Sequence, residues 1–238
     1  MTTPRADPDL RGVRLVVVLV ALTVVSGLID AVSYLGLGRV FTANMTGNVV
    51  VLGFAAAGAP GFSVPHTVTS LAGFLLGAAA GGRLTARFGW GSPRSSEVET
   101  GGGSRRRWTR LTLTAEALLV GASAAVAFGW PGTTGTRYAL IALTAFAMGL
   151  RNATVRKLGV PGLTTTTVLT MTLTGLAAES RLGDATGLRS PRRTAAVIAM
   201  FAGAWLGAWL VLHHGLALPL LLAAAASGVL AVVASGRE

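Results

Sequence analysis

Three ionisable residues stand in or at the ends of long apolar runs: Asp30, Glu116 and Arg151. Hydroxyls and amides gather beside two of them. Asn44, Thr46, Gly47 and Asn48 follow Asp30, and Asn152, Thr166 and Thr170 follow Arg151. Charge in an apolar segment is costly and, in a membrane, marks an ion or solute path by default. Each charge also has a plainer use. Asp30 can feed charge to a binding site, or end a helix by pairing with Arg39. Glu116 can carry a coupling proton, or reach back about 9 Å along its helix to Arg110. Arg151 can receive an anion or clamp stray carbonyls, or anchor the membrane edge with Arg156 and Lys157. Where a backbone breaks inside a membrane, its N–H and C=O groups need partners. Asn44, Thr46 and Asn48 can supply them in one segment, Thr164 to Thr167, Thr170 and Thr172 in another, while Gly47 lets the chain turn.

Other chemistries have no foothold. The 238 residues include no cysteine and three histidines, so thiolate metal sites and disulfides are excluded. No nucleophile–base pair, phosphate-cradling loop, dinucleotide fingerprint or metal-ligand spacing occurs. The expectation is no catalytic residue, no metal, no cofactor and no enzyme.

The elements that position these residues follow from composition. Apolar residues make up 52% of the chain and charged ones 12%, about half the charge of a soluble domain, and mean hydropathy is +0.64. The net charge of +11 is carried between apolar runs of spanning length, which points to a lipid bilayer and away from nucleic acid. Six runs read as spans: 13–34, 67–88, 111–130, 138–152, 194–213 and 216–234. The first reads as an uncleaved span after a short basic tail, 1–12. Two further segments, 41–58 and 163–179, are semi-apolar and rich in hydroxyls.

Basic residues collect in short cytoplasmic loops, and this tests the two doubtful segments. If all eight runs cross, the 20 basic residues divide nine to eleven. If 41–58 and 163–179 enter and leave on one side, only Arg39 and Arg137 fall outside, against eighteen inside. The second layout is favoured, with both termini cytoplasmic and a flexible basic loop at 89–110. Tyr34, Trp130 and Tyr138 then mark the outer boundary, and Trp90 and Trp108 the inner one.

The chain also repeats itself. Gly27-Leu28-Ile29-Asp30-Ala31 aligns with Gly149-Leu150-Arg151-Asn152-Ala153. A hydroxyl-rich segment follows each, then a glycine-spaced helix: Gly73, Gly77 and Gly81 beside Gly203 and Gly207. Three spans per half make the second half enter from the opposite side, an inverted repeat of the kind whose sites lie near the membrane midplane. The fold class expected is all-α integral membrane, with six transmembrane helices plus two re-entrant or discontinuous segments in two inverted three-span repeats, 13–131 and 137–236.

The run from Asp30 to Leu35, followed by Val40-Phe41-Thr42-Ala43-Asn44-Met45-Thr46-Gly47-Asn48, resembles the signature of the YoaK-like bacterial membrane proteins. Ala147 to Ala153 followed by Arg156 is similar to that family's second signature, with Arg151 where Gln is the expected residue. Thr170 is followed by Met171 where the family usually has glycine. The resemblance implies about six spans and a bacterial inner-membrane setting, and brings no established activity. Two functions stand open. One is a transporter or channel-like protein for a small polar solute or ion, bound near the midplane at 41–58 and 163–179. The other is a structural or regulatory membrane protein with a sealed polar core. The glycine seams are also candidates for packing a second copy.

Overall fold

A computed structural model describes residues 8–87, 101–158, 165–179 and 191–233, with the side chains of 8–15, 101–106, 158 and 165–168 outside the description. Every regular element among the described residues is a helix. They are α1 (Pro8–Gly36), α2 (Met45–Ala56), α3 (Val64–Arg87), α4 (Gly101–Gly129), α5 (Thr134–Leu158), α6 (Thr165–Ala178), α7 (Pro191–His214) and α8 (Ala217–Val233). Five are long and apolar enough to cross a bilayer: α1, α3, α4, α5 and α7. At 17 residues α8 is about 25 Å long, whereas α2 (12 residues) and α6 (14 residues) reach only about 18 and 21 Å. A bilayer's hydrocarbon core is about 30 Å thick, so neither α2 nor α6 can cross it alone.

Large apolar side chains face outward along these helices. Leu75, Leu76, Phe201, Trp205, Leu212 and Val232 are each more than 60% exposed. In water such a surface would aggregate; in lipid it is the ordinary exterior. Asp30, Glu116, Arg151, Asn48, Ser70 and Ser227 lie inside instead. The inversion follows from the solvent, since lipid rewards no polar surface.

Two glycine seams set the bundle. On α7, a Cβ at Gly203 would collide with the Val24 carbonyl of α1, and one at Gly207 would lie 2.7 Å from the Leu28 carbonyl. On α3, a Cβ at Gly77 would collide with the Phe146 carbonyl of α5, and one at Gly81 would lie 3.2 Å from the Leu150 carbonyl. The reverse contacts match too. Gly27 meets the Met200 carbonyl and Ala204 nitrogen, while Gly149 meets the Phe74 carbonyl and Ala78 nitrogen. The seams thus agree residue by residue, with Gly77 equivalent to Gly203 and Gly81 to Gly207. The alignment of Gly73 beside Gly203 is one turn out of register. Adjacent glycines on one helix face look alike in sequence, and only the partner backbone tells them apart. Both seams lie within one chain.

Helix directions follow from the same contacts. Rising numbers on α1 meet rising numbers on α7, and likewise α3 on α5, so each seam is parallel. A Cβ at Gly121 would meet the Ala224 methyl at 3.8 Å and one at Gly228 the Ala117 methyl at 3.9 Å, so α4 and α8 are antiparallel. Tight turns join α4 to α5 and α7 to α8. Hence α1, α4 and α7 run one way, and α3, α5 and α8 the other.

The fourth span, short at 138–152 and expected to extend at both ends, does so, to Thr134 and Leu158. Other boundaries differ from expectation. Helix α4 starts at Gly101, so the last ten residues of the expected loop 89–110 are helical, while 88–100 lie outside the described residues. Trp108 is 1% exposed and belongs to the core, not to a membrane-interface belt.

Candidate functional site

The first broken segment is built around Asp30. Helix α1 ends at Gly36, and Gly38 (φ 94°) and Arg39 (φ 58°) take left-handed backbone angles that turn the chain back. Residues 40–44 are not helical, and their peptide groups must find partners away from water. Asp30 Oδ1 accepts the Thr42 N–H at 3.1 Å and the Ala43 N–H at 2.8 Å. Asn44 caps α2 by accepting the Gly47 N–H at 3.3 Å. One turn on, Asn48 holds both sides of the Phe41 peptide, accepting its N–H at 2.8 Å and donating to its carbonyl at 2.5 Å. Ser70 of α3 completes the clip: it receives Asn48 Nδ2 at 3.0 Å and donates to the Phe41 carbonyl at 2.5 Å. Asn48 thus does for one strand-like residue what a neighbouring strand would do.

Gly47 makes room for this turn, since a Cβ there would come within 2.7 Å of the Phe41 ring. Because α2 hairpins onto α3, the bonds at Phe41 and Asp30 lie at the buried end of α2, and the chain then returns toward the end of α3 it enters. Arg39 does not pair with Asp30; its guanidinium lies over the Phe62 ring at 5.5 Å.

A second cluster joins four helices. Arg151 of α5 donates to Glu116 Oε1 of α4 at 3.1 Å and to the Ser26 hydroxyl of α1. Ser227 of α8 donates to the same Glu116 oxygen at 2.8 Å, and Met148 Sδ lies 2.9 Å from the guanidinium. Glu116 is fully buried and Arg151 nearly so. Neither charge follows its plainer reading: Glu116 does not reach to Arg110, and Arg151 is not an edge anchor, although Arg156 and Lys157 are exposed. Ser26 and Asp30 are one turn apart on one face of α1, so the cluster adjoins the broken segment, and the Arg151 charge acts on Asp30 as well. Three buried oxygens here have no hydrogen-bond partner: Asp30 Oδ2, Thr42 Oγ1 and Glu116 Oε2.

The second broken segment contributes less. Thr170 is exposed on α6, as Thr46 is on α2, so neither joins these clusters. Asn152 is half-buried at the position equivalent to Asp30. Thr166 belongs to α6, but its side chain lies outside the described residues, as does all of Thr164. Among the threonines of α6 whose side chains are described, Thr172 is buried. Ser26, Thr42, Ser70 and Ser227 were not singled out as site residues. Ser26 had a usable signal, four residues before Asp30; Ser70 had none to set it apart from Thr67 and Thr69, and Ser227 none as the lone hydroxyl of α8.

Comparison with known proteins bears on the whole chain. The family described as "Protein of unknown function (DUF1275)" matches residues 18–233. Over 56 residues, 24% of this chain, the sequence is 46% identical to the UPF0700 transmembrane protein YoaK of Bacillus subtilis (strain 168). That stretch spans 25% of the relative, about a quarter of its length. No solved structure matches.

Proposed function

We propose, on the premise that this chain belongs to the DUF1275 family of unknown function, that it is a membrane carrier or channel for a small polar solute or ion. Its site lies where the first broken segment meets the Arg151 cluster. One observation carries this reading. Glu116 and Arg151, with Asp30 beside them, are buried among apolar helices, and Asp30 Oδ2, Glu116 Oε2 and the neighbouring Thr42 Oγ1 are left without a protein partner. Burying an ion pair costs several kcal/mol per ion, and apolar residues of similar volume usually hold a core together as well or better. Orphaned oxygens add about 1–3 kcal/mol each. A solute, an ion with its water, or a coupling proton on Glu116 would use them.

The same reading accounts for the architecture. Two units, 13–131 and 137–236, each with three crossings and one broken segment, give opposed directions to α1 and α5 and to α4 and α8. The matching glycine seams and the alternation of helix directions support six crossings. An eight-crossing chain would run α4 and α8 parallel. The basic-residue count supports an inner-membrane setting with both termini cytoplasmic, and no enzymatic step is invoked.

The test is flux in vesicles reconstituted with purified protein, across a panel of small ions and polar solutes. Wild type should move at least one of them, and Asp30→Asn and Glu116→Gln should each slow it tenfold or more. A second reading, a sealed polar core without transport, is favoured by the burial itself: Asn48, Ser70, Glu116 and Ser227 are all at 0% exposure. The two separate by labelling. The chain has no native cysteine, so Ser70→Cys is a single reporter. Reaction with a polar thiol reagent supports a wet path; an inert cysteine, together with no flux of any solute, overturns the carrier.

A further inference from the structure

Outside this site, α4 and α8 enclose a groove of about 440 Å³ lined by Arg110, Thr114, Ala117 and Leu118 on α4 and by Gly228, Ala231 and Val232 on α8. We infer that it binds one anionic phospholipid, with an acyl chain along the groove and the phosphate at Arg110. The two helices face each other through small residues: even a Cβ added at Gly228 would stand 3.9 Å from the Ala117 methyl. The small residues there leave room between the helices in place of a side chain.

Charge selects the headgroup. The three acids whose side chains are described are committed elsewhere: Asp30 to the loop N–H groups, Glu116 to Arg151 and Glu179 to Arg193. Arg110 and Arg107 are both exposed, one turn apart at the same end of α4. A phosphate is a bidentate partner for a guanidinium, and basic pockets between transmembrane helices suit anionic lipid. Length agrees as well. Arg110 to Leu118 is about 12 Å of helix, close to the depth of one leaflet of a core about 30 Å thick. A guanidinium at the mouth of an apolar slot of leaflet depth has the shape of a phospholipid, not of a free anion.

The test is native mass spectrometry of the full-length protein, released from micelles holding equal amounts of dioleoyl phosphatidylglycerol and dioleoyl phosphatidylcholine. One phosphatidylglycerol should be retained per chain, at least tenfold over phosphatidylcholine. Arg110→Gln should cut that preference at least fivefold with helix content unchanged. Gly228→Leu should fill the groove and abolish retention of both lipids. If Gly228→Leu disturbs folding, Val232→Phe at the groove edge provides a second block. Equal retention of the two lipids by wild type overturns the inference, as does an undiminished preference in Arg110→Gln. A change of oligomeric mass in Gly228→Leu without loss of lipid assigns the face to a second copy and overturns it too. None of these readouts depends on transport, so the lipid site and the carrier reading fail separately.

Discussion

The two halves share their packing and differ in their chemistry. Gly27 with Gly203 and Gly207 in one seam, and Gly149 with Gly77 and Gly81 in the other, bring backbone to backbone at equivalent places. Yet Asp30 stands opposite Asn152, and Arg151 opposite Ile29. Across the α4–α8 contact, where Gly121 on Ala224 mirrors Gly228 on Ala117, Glu116 stands opposite Ala223. The reason is energetic. A close seam requires only that no side chain be present, and both copies can meet that at little cost. A buried charge needs a partner of opposite sign and several hydrogen bonds, and the bundle centre holds one such set. The matching glycine seams supply the scaffold; the charge makes one half unlike the other.

The largest expected effect breaks the asymmetric part. Arg151→Met leaves Glu116 buried and unpaired, and should destabilise the protein by about 3–5 kcal/mol, read as a lower unfolding midpoint in detergent. Adding Glu116→Gln should recover most of the loss, whereas Asn152→Ala, at the neighbouring position, should cost under about 1 kcal/mol. If Arg151→Met alone is harmless, the central ion pair does not form.

The symmetric part gives the next effect. Gly77→Ala and Gly203→Ala each place a methyl group on a facing carbonyl, and each should cost about 1–3 kcal/mol. The two losses should agree to within about 0.5 kcal/mol, and a wide disparity would mean that the seams are not equivalent. Asn48→Ala should then cost about 1–3 kcal/mol by orphaning the Phe41 N–H, while Ser70 keeps its bond to the carbonyl. Thr170→Ala, on the exposed face of α6, should stay within about 0.5 kcal/mol. The smallest effect belongs to Gly121→Ala and Gly228→Ala, where the new Cβ meets its neighbour at 3.8–3.9 Å. Both should be neutral to slightly stabilising, by up to about 0.5–1 kcal/mol, because alanine favours the helix.

Much of the fold was legible because lipid imposes simple rules. Apolar runs of spanning length are helices, and glycines four apart mark close crossings. Asp30, Asn44 and Asn48 were legible as a group because a polar segment after a span has few other uses. Their partners were not. Asp30 had a nearby arginine in Arg39 yet bonds the Thr42 and Ala43 amides, because the left-handed turn at Gly38 and Arg39 swings those N–H groups beneath it. Thr46 and Thr170 have the right chemistry on the wrong helix face, and so short a helix carries too few apolar positions to reveal which face turns inward.

The amino-acid order by itself determined that this chain is a bundle of apolar helices with polar breaks, that its halves echo each other, and which residues carry rare buried charge. All of these are local or periodic properties, readable without knowing any neighbour. Only the tertiary structure decided that Glu116 meets Arg151 and not Arg110, and that Gly77 and not Gly73 corresponds to Gly203. Those choices depend on which helix lies alongside and at what axial shift, and a shift of one turn leaves the periodic pattern unchanged while replacing every partner.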